Sequence, residues 1–311
     1  MTKIKMKKKK AAKITPNNGS QFAGVITALI TPFKKGRVDL PSLKRLVEHQ
    51  LENGVQGFVV NGTTGESPTL ERDEIETIFR LVKKIVGKTV PLLIGTGSNS
   101  TKETLKKTLH AQKLGADGAL VVVPYYNKPP QRGLIAHYKT VADGVRLPVV
   151  LYNVPGRTVV SLRAETIIEL SRVKNIVGVK EASGDLSLFG EIREKVSKQF
   201  LLSSGDDVTA VDFCNRGGHG VISVVSHVIP AEMVDLIARA RRGDAKSTQS
   251  YQKFTALNKL MGIEPNPLPV KMALHLMGII DSPELRLPLV TLNDGDQRLL
   301  AKELENLGVL K

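Results

Sequence analysis

Residues 118–155, GALVVVPYYNKPPQRGLIAHYKTVADGVRLPVVLYNVP, read as strand, helix, strand. The first run, GALVVVPYY (118–126), and the last, PVVLYNVP (148–155), are nearly continuous in apolar residues without strict alternation. A half-exposed strand alternates with period two; a continuous run is the pattern of a parallel strand covered on both faces. Between them, QRGLIAHYKTVADGV (131–145) spaces its apolar residues as a helix does. Parallel neighbours need a crossover of that length, and this segment supplies it.

The same unit recurs on both sides. Further apolar runs are GVITALIT (24–31), GFVVNG (57–62), PLLIGTG (91–97), IVGVKEAS (176–183), FLLSSGDD (200–207) and GVISVVSHV (220–228), which brings the count to eight. PSLKRLVEHQLENG, ERDEIETIFRLVKKIVG and STKETLKKTLHAQKLGADG read as helices between them. In the second, Ile75, Ile78, Phe79, Val82, Ile85 and Val86 share a face. Acids crowd its start, lysines its end, and Gly87 follows, as the helix dipole and the C-terminal glycine preference favour. Ser100 and Glu103 have the spacing of a capping box. Eight strands alternating with helices admit a closed (β/α)8 TIM barrel or an open doubly wound sheet, and the count favours the barrel, over residues 22–243. Beyond it the strand runs stop. SYQKFTALNKLMG, PLPVKMALHLMGI and DGDQRLLAKELENLG predict a small α-helical C-terminal domain over 244–311.

Composition narrows the function. Of the 311 residues 41% are apolar and 24% charged, an ordinary globular profile. With no Trp and 4% aromatics, a surface for stacking bases is not expected. The net charge of +15 is uneven: MTKIKMKKKKAAK (1–13) holds seven lysines and no acid. Residues 1–21 therefore read as a basic, solvated, disordered tail, with weak attachment to an anionic surface as the alternative. No apolar core of a secretory signal follows the basic run, and no stretch approaches the roughly 20 apolar residues of a membrane span. A cytoplasmic protein without nucleic-acid or membrane partners is expected. The single cysteine, Cys214, cannot pair internally and reads as helix filler.

Barrel active sites lie at the C-terminal ends of the strands, so those ends carry the chemistry. Asn61-Gly62-Thr63-Thr64-Gly65-Glu66-Ser67 combines glycines, hydroxyls and free N–H groups, a setting for a carboxylate or phosphate, or else a plain turn. Tyr125, Tyr126 and Tyr152, three of only five tyrosines, fall at strand ends, where a phenol can relay protons or simply pack; Arg157 can clamp a carboxylate. Lys180 ends an apolar strand, and Gly178, two residues earlier, is expected to leave room for its side chain. A buried lysine is costly unless it is used or paired. Used, it is an amine nucleophile for a small keto acid; paired, it bridges to Glu181 or Asp206. Gly95-Thr96-Gly97 lacks the third glycine of a dinucleotide loop, and His219 has no ligand or base partner at useful spacing, so no metal site is expected.

These blocks resemble the dihydrodipicolinate synthase family of class I, pyruvate-dependent lyases. The resemblance runs from Phe22 to the C-terminus through ITALITPF, GTTGES, GTGSNS, VVPYYN, LYNVPGRT, VGVKEASG, LLSSGDD, GGHGVISV, EPNPLPVK and LRLPL. It implies that Lys180 forms an imine with pyruvate and that Tyr152 is the acid/base above it. Thr64 and Tyr126 complete a hydroxyl relay, Tyr126 reaching in from a neighbouring subunit. Thr63 and Thr64 hold the pyruvate carboxylate, Arg157 that of the second substrate, and Gly205 and Ile222 line the pocket through their backbone. It further implies condensation with L-aspartate 4-semialdehyde, the first committed step toward diaminopimelate and lysine, in a homotetramer built as a dimer of dimers, with no cofactor. The same superfamily holds N-acetylneuraminate lyase and 2-keto-3-deoxy sugar acid aldolases, which are the alternative; GTTGES and the Arg157 block look more like the synthase. A barrel that only binds, with the basic tail as its working part, is the non-enzyme reading.

For lysine feedback the resemblance is incomplete. Ser67, Asn99, Glu103 and Tyr125 match the effector site of lysine-sensitive relatives, but Arg72 and Ile75 stand where those carry histidines. Ile75 offers no hydrogen bond, and Arg72 adds a cation near a ligand with two ammonium groups. Losing one charge-assisted hydrogen bond costs about 1.5–3 kcal/mol. Weak or absent inhibition is expected. A lysine titration of the initial rate checks it, and half-inhibition below about 0.1 mM would contradict it.

Overall fold

The structure, a computed structural model, describes residues 19–310. Eight parallel strands form a closed barrel: β1 (Gly24–Ala28), β2 (Phe58–Val60), β3 (Leu92–Gly95), β4 (Gly118–Val122), β5 (Val149–Asn153), β6 (Ile176–Glu181), β7 (Leu201–Ser204) and β8 (Gly220–Ser223). Each pairs with the next, and β8 returns to β1. The closing seam runs Gly24↔Gly220 to Thr27↔Ser223. A Cβ at Gly220 would lie 2.1 Å from the Gly24 carbonyl oxygen, so the seam closes only with glycine there.

Strand parity sorts the core into two shells. Ile26, Val59, Leu93, Leu120, Val150, Leu201 and Ile222 fill the barrel, and Phe22 joins them. Val25, Phe58, Leu92, Val121, Leu151, Val179, Leu202 and Val221 face outward onto the helices. Both faces being apolar is why the strand runs are continuous. The crossovers are α1 (Leu40–Glu52), α2 (Arg72–Val86), α3 (Thr101–Leu114), α4 (Gln131–Asp143), α5 (Ala164–Leu170), α6 (Leu186–Lys195), α7 (Ala210–Asn215) and α8 (Pro230–Arg241). Asp39 caps α1 by accepting the Ser42 N–H at 3.2 Å. The capping box expected at Ser100–Glu103 forms only by half: Ser100 accepts the Glu103 N–H, while the Glu103 carboxylate turns to Lys106 at 3.7 Å. A reciprocal box exists at α2 instead, where Glu74 accepts the Glu71 N–H at 3.0 Å.

The expectation of a solvated tail falls on residues 1–18, outside the described residues. Gly19–Gln21, assigned to that tail, instead belong with Phe22 to a 3-10 turn under the barrel floor. The apolar Phe22 decides this: it is fully buried against Gly118, and the Gly19 N–H donates to Gln199 O at 3.3 Å.

After α8 come α9 (Lys246–Tyr251), α10 (Thr255–Met261), α11 (Leu268–Leu276) and α12 (Asp294–Asn306). They are tied to the barrel rather than hung from it. The Tyr251 hydroxyl donates to Asp207 O at 2.8 Å, and Asp281 bridges to Lys34 at 2.7 Å and to Arg45. No helix of the described residues is long and apolar enough to cross a membrane.

Two histidines are sealed in. His227 accepts the Ile30 N–H and contacts Val224 O; His137 contacts the Thr101 hydroxyl. Burial pushes each imidazole down from 6.5 to about 4. Below pH 6.5 the unfolded chain takes up protons that the folded chain refuses. Stability should therefore fall as pH drops from 6.5 to 4, by up to roughly 3 kcal/mol per histidine. Denaturant unfolding at pH 7, 5.5 and 4 measures it; His227→Gln should flatten part of the slope.

Candidate active site

The register of β5 on β6 places the site. Val149 pairs with Ile176 but Val150 with Gly178, so Val177 is an extra residue and the ladder shifts there. Above the bulge, Tyr152 stands opposite Lys180 and Asn153 opposite Glu181. A shift by one residue exchanges the faces of a strand, and this one turns Lys180 into the barrel beside Tyr152. Lys180 is 6% and Tyr152 7% exposed, and the Lys180 Nζ lies 4.3 Å from the centre of the phenol ring.

Neither acid considered as a bridge for Lys180 takes it. Glu181 points away from the barrel axis, where it accepts from Asn153 Nδ2 at 3.1 Å, the Ser183 N–H at 2.8 Å and the Ser183 hydroxyl at 2.9 Å. Burial raises its carboxyl above the ordinary value against those hydrogen bonds. Asp206 accepts the N–H and hydroxyl of Thr209. Among the described residues Lys180 has no ion pair, so its charge-bearing end is left to the tyrosine face and to whatever enters the mouth.

Room for Lys180 is made by a different glycine from the one expected. A Cβ at Gly178 would meet Leu201 Cβ at 2.4 Å, so that space belongs to β7. A Cβ at Gly205 would lie 2.6 Å from Ala182 Cβ, 2.7 Å from Lys180 Cε and 2.9 Å from Lys180 Cγ, so it would crowd both the lysine and the strand end that carries it. Gly205, expected in the pocket lining, is the position that the lysine crosses. Ile222 lies in the inner shell, 1% exposed.

The turn after β2 supplies hydroxyls. Thr63 is half-buried and Thr64 buried. The Thr64 hydroxyl accepts from Asn266 Nδ2 at 2.9 Å, and Arg157, exposed on the one-turn helix Pro155–Thr158, donates to Asn266 O at 3.2 Å. Asn266 thus joins Thr64 and Arg157, two of the three expected carboxylate-binding residues, although sequence reasoning passed it over. Its signal was the EPNPLPVK block, far along the chain in a segment read only as helical. Tyr126 stands apart: it is 90% exposed, has φ +74, and its hydroxyl has no partner among the described residues. Thr64, Tyr152 and Tyr126 are not joined by hydrogen bonds within one chain.

Of the expected effector residues, Asn99 accepts Asn127 Nδ2 at 2.9 Å through its carbonyl, Ser67 opens a 3-10 turn, and Tyr125 is 40% exposed. Arg72 turns to His110 Nδ1 at 3.2 Å, and Ile75 packs on the outer core. The remaining motifs are structural. Gly95 and Gly97 admit Asn61 and the β4 backbone, and His219 accepts the Leu202 N–H at 3.0 Å. Cys214 is buried, with its thiol pushed up to about 12.

Comparison with known proteins bears on this arrangement. The family model described as the dihydrodipicolinate synthetase family matches residues 21–307. A 4-hydroxy-tetrahydrodipicolinate synthase of Bdellovibrio bacteriovorus is 51% identical over 290 residues, 93% of this chain and 99% of that protein. The solved dihydrodipicolinate synthase of Thermotoga maritima is 46% identical with a TM-score of 0.90, covering 93% of this chain and 99% of that one. That of Acinetobacter baumannii, chloride-inhibited and solved with pyruvate, is 41% identical with a TM-score of 0.90 and the same coverage.

The Gly205 contact generates a test. Gly205→Ala should leave the barrel folded but displace the Lys180 side chain. Displacements near 1 Å cost on the order of 100-fold in rate. The rate at which borohydride traps a small keto acid on Lys180 should fall by about that factor, with circular dichroism unchanged; an unaltered rate would mean that Gly205 does not shape the lysine's path.

Proposed function

The chain belongs to the dihydrodipicolinate synthetase family, and we propose that Lys180 is the nucleophile of its reaction: the Schiff-base condensation of pyruvate with L-aspartate 4-semialdehyde to 4-hydroxy-tetrahydrodipicolinate. The observation that carries the assignment is the buried Lys180, without an ion pair among the described residues, held 4.3 Å from the Tyr152 ring at the barrel mouth. Relatives 44–51% identical over 93% of this chain bear the name of this activity, which favours it over the sugar-acid aldolases.

The steps follow from the groups present. The Lys180 amine adds to the pyruvate ketone and water leaves, forming the imine. As an electron sink the imine acidifies the pyruvate methyl; Tyr152, on the adjacent strand, is placed to carry that proton. The resulting enamine attacks the aldehyde carbon of the second substrate. The amino group of that substrate then displaces Lys180 as the ring closes, returning the free lysine. Two substrates go in, and one ring and one water come out. Thr63 and Thr64 hold the pyruvate carboxylate, and Arg157, exposed at the rim, takes that of the semialdehyde as a bidentate partner.

Tyr126 completes the relay from a second subunit. Its side chain is 90% exposed and its backbone sits in the left-handed region, which costs energy unless the loop is held for a purpose. A homotetramer, two such pairs joined, is the assembly proposed, working in the cytoplasm on soluble metabolites.

Borohydride with pyruvate should add the mass of the reduced adduct at Lys180 and nowhere else, and Lys180→Ala should abolish it; a label on another lysine refutes the assignment. Tyr152→Phe should lower turnover by about 100-fold or more while trapping persists, more slowly. Arg157→Ala should chiefly raise the KM for the semialdehyde. If it weakened only pyruvate, the second carboxylate would lie elsewhere.

A further inference from the structure

Above the barrel, between the turn after β2 and the C-terminal helices, two opposite charges are buried together. Glu66 is 1% exposed and Lys271, on α11, is 0% exposed. The Lys271 ammonium bonds Glu66 Oε1 and donates to Glu284 O at 2.7 Å, and the Arg286 N–H donates to Glu66 Oε2 at 3.0 Å. The Phe33 ring lies 4.2 Å from the ammonium. Taking two charges out of water is costly, and apolar residues would fill such a space with less penalty. A pair retained there without touching substrate invites a role in holding geometry.

We propose that Glu66 and Lys271 are positioning residues for the reaction at Lys180: their ion pair ties the 62–66 turn to α11 and so sets where Thr63 and Thr64 present their hydroxyl and N–H groups. This rests on the reading that those threonines hold the pyruvate carboxylate. Three observations carry it. Glu66 is a non-glycine residue at φ +57, a conformation that persists only where the surroundings impose it. Its N–H donates to Thr63 O at 3.1 Å, so the strained residue closes the turn that contains both threonines. The same C-terminal segment contacts the turn twice, Asn266 at the Thr64 hydroxyl and Lys271 at Glu66, while Thr31 holds the Gly65 carbonyl at 2.8 Å from the barrel side. The turn is therefore gripped from both domains, and Glu66 is its only charged anchor.

Lys271→Met alone leaves Glu66 buried without its cation and is expected to damage the fold. The working variant is the double Glu66→Gln/Lys271→Met, which keeps the shapes and leaves no unpaired charge. Its KM for pyruvate should rise about tenfold or more, the KM for the semialdehyde should stay within roughly threefold, and borohydride should still label Lys180 at saturating pyruvate. Phe213→Leu serves as the control: Phe213 stacks on Phe189 at 3.9 Å behind the barrel, so this variant should melt earlier with both KM values unchanged. A folded double variant whose pyruvate KM stays within roughly twofold of the parent overturns the positioning role, as does an equal rise in the control. Labelling of the parent at a lysine other than Lys180 overturns the functional reading first, and this proposal with it.

Discussion

A residue near the end of a barrel strand faces inward or outward according to register alone, and a single extra residue turns Lys180 inward. Val177 offsets β6 against β5, so that Lys180 rather than Val179 meets Tyr152. Everything else at the mouth is arranged about that apposition. On the outer face of the same two strands, Asn153 and Glu181 bond each other one residue beyond Tyr152 and Lys180, and the Gly205 N–H donates to Glu181 O at 2.6 Å. The polar contacts behind the strands lock the register in front of them, with the Asn153 and Glu181 side chains on the face away from the barrel axis. A bulge needs such a lock, because the ladder it interrupts no longer specifies the pairing by itself.

The second demand is that loops from different strands keep their places over the lysine. Backbone hydrogen bonds between strands cannot do this, since they end where the strands end. Buried polar contacts take over. Asp207 accepts the N–H groups of Val224 and Val225 at 2.8 and 3.0 Å, joining the β7 and β8 ends, while its own carbonyl holds Tyr251. Burial keeps that carboxyl above its ordinary range. On the opposite side, Arg286 grips Glu74 through both nitrogens and the Thr69 carbonyl. The C-terminal segment thus braces the C-terminal ends of the barrel strands: its helices share the outer apolar core through Leu257, Leu268, Val270 and Leu274, and the polar contacts fix the loops above that core.

A neutral or charged amine among apolar walls also has to avoid being neutralised by a neighbour. Glu181 is the next residue on β6 and Asp206 follows the adjacent β7, yet the carboxylate of each accepts from groups other than the lysine. Keeping nearby carboxylates occupied leaves Lys180 without an ion pair among the described residues, as the proposed imine chemistry requires.

The barrel was legible in the chain because its strands are buried on both faces, which forces continuous apolar runs, and because parallel pairing forces a helix between each. Lys180 stood out for the same reason: a charge at the end of such a run conflicts with burial. Phe22 could have marked the turn under the barrel floor by its apolar character, but a single aromatic after a basic stretch carries no periodicity. Gly205 and Gly178 show where local reading ends. Each is a lone glycine near a strand end in the sequence, and only the packing of β7 reveals that Leu201 fills the space at one and Lys180 crosses the other. Asn266, Lys271 and Arg286 lie some 200 residues from the turn they hold. The sequence alone determined what must be buried and with what period, because hydrophobic burial and hydrogen-bond satisfaction act locally along a strand or helix. The bulge register, the choice of glycine and the polar brace were decided only in three dimensions, because each depends on which distant groups arrive within hydrogen-bonding or van der Waals reach once the barrel has closed.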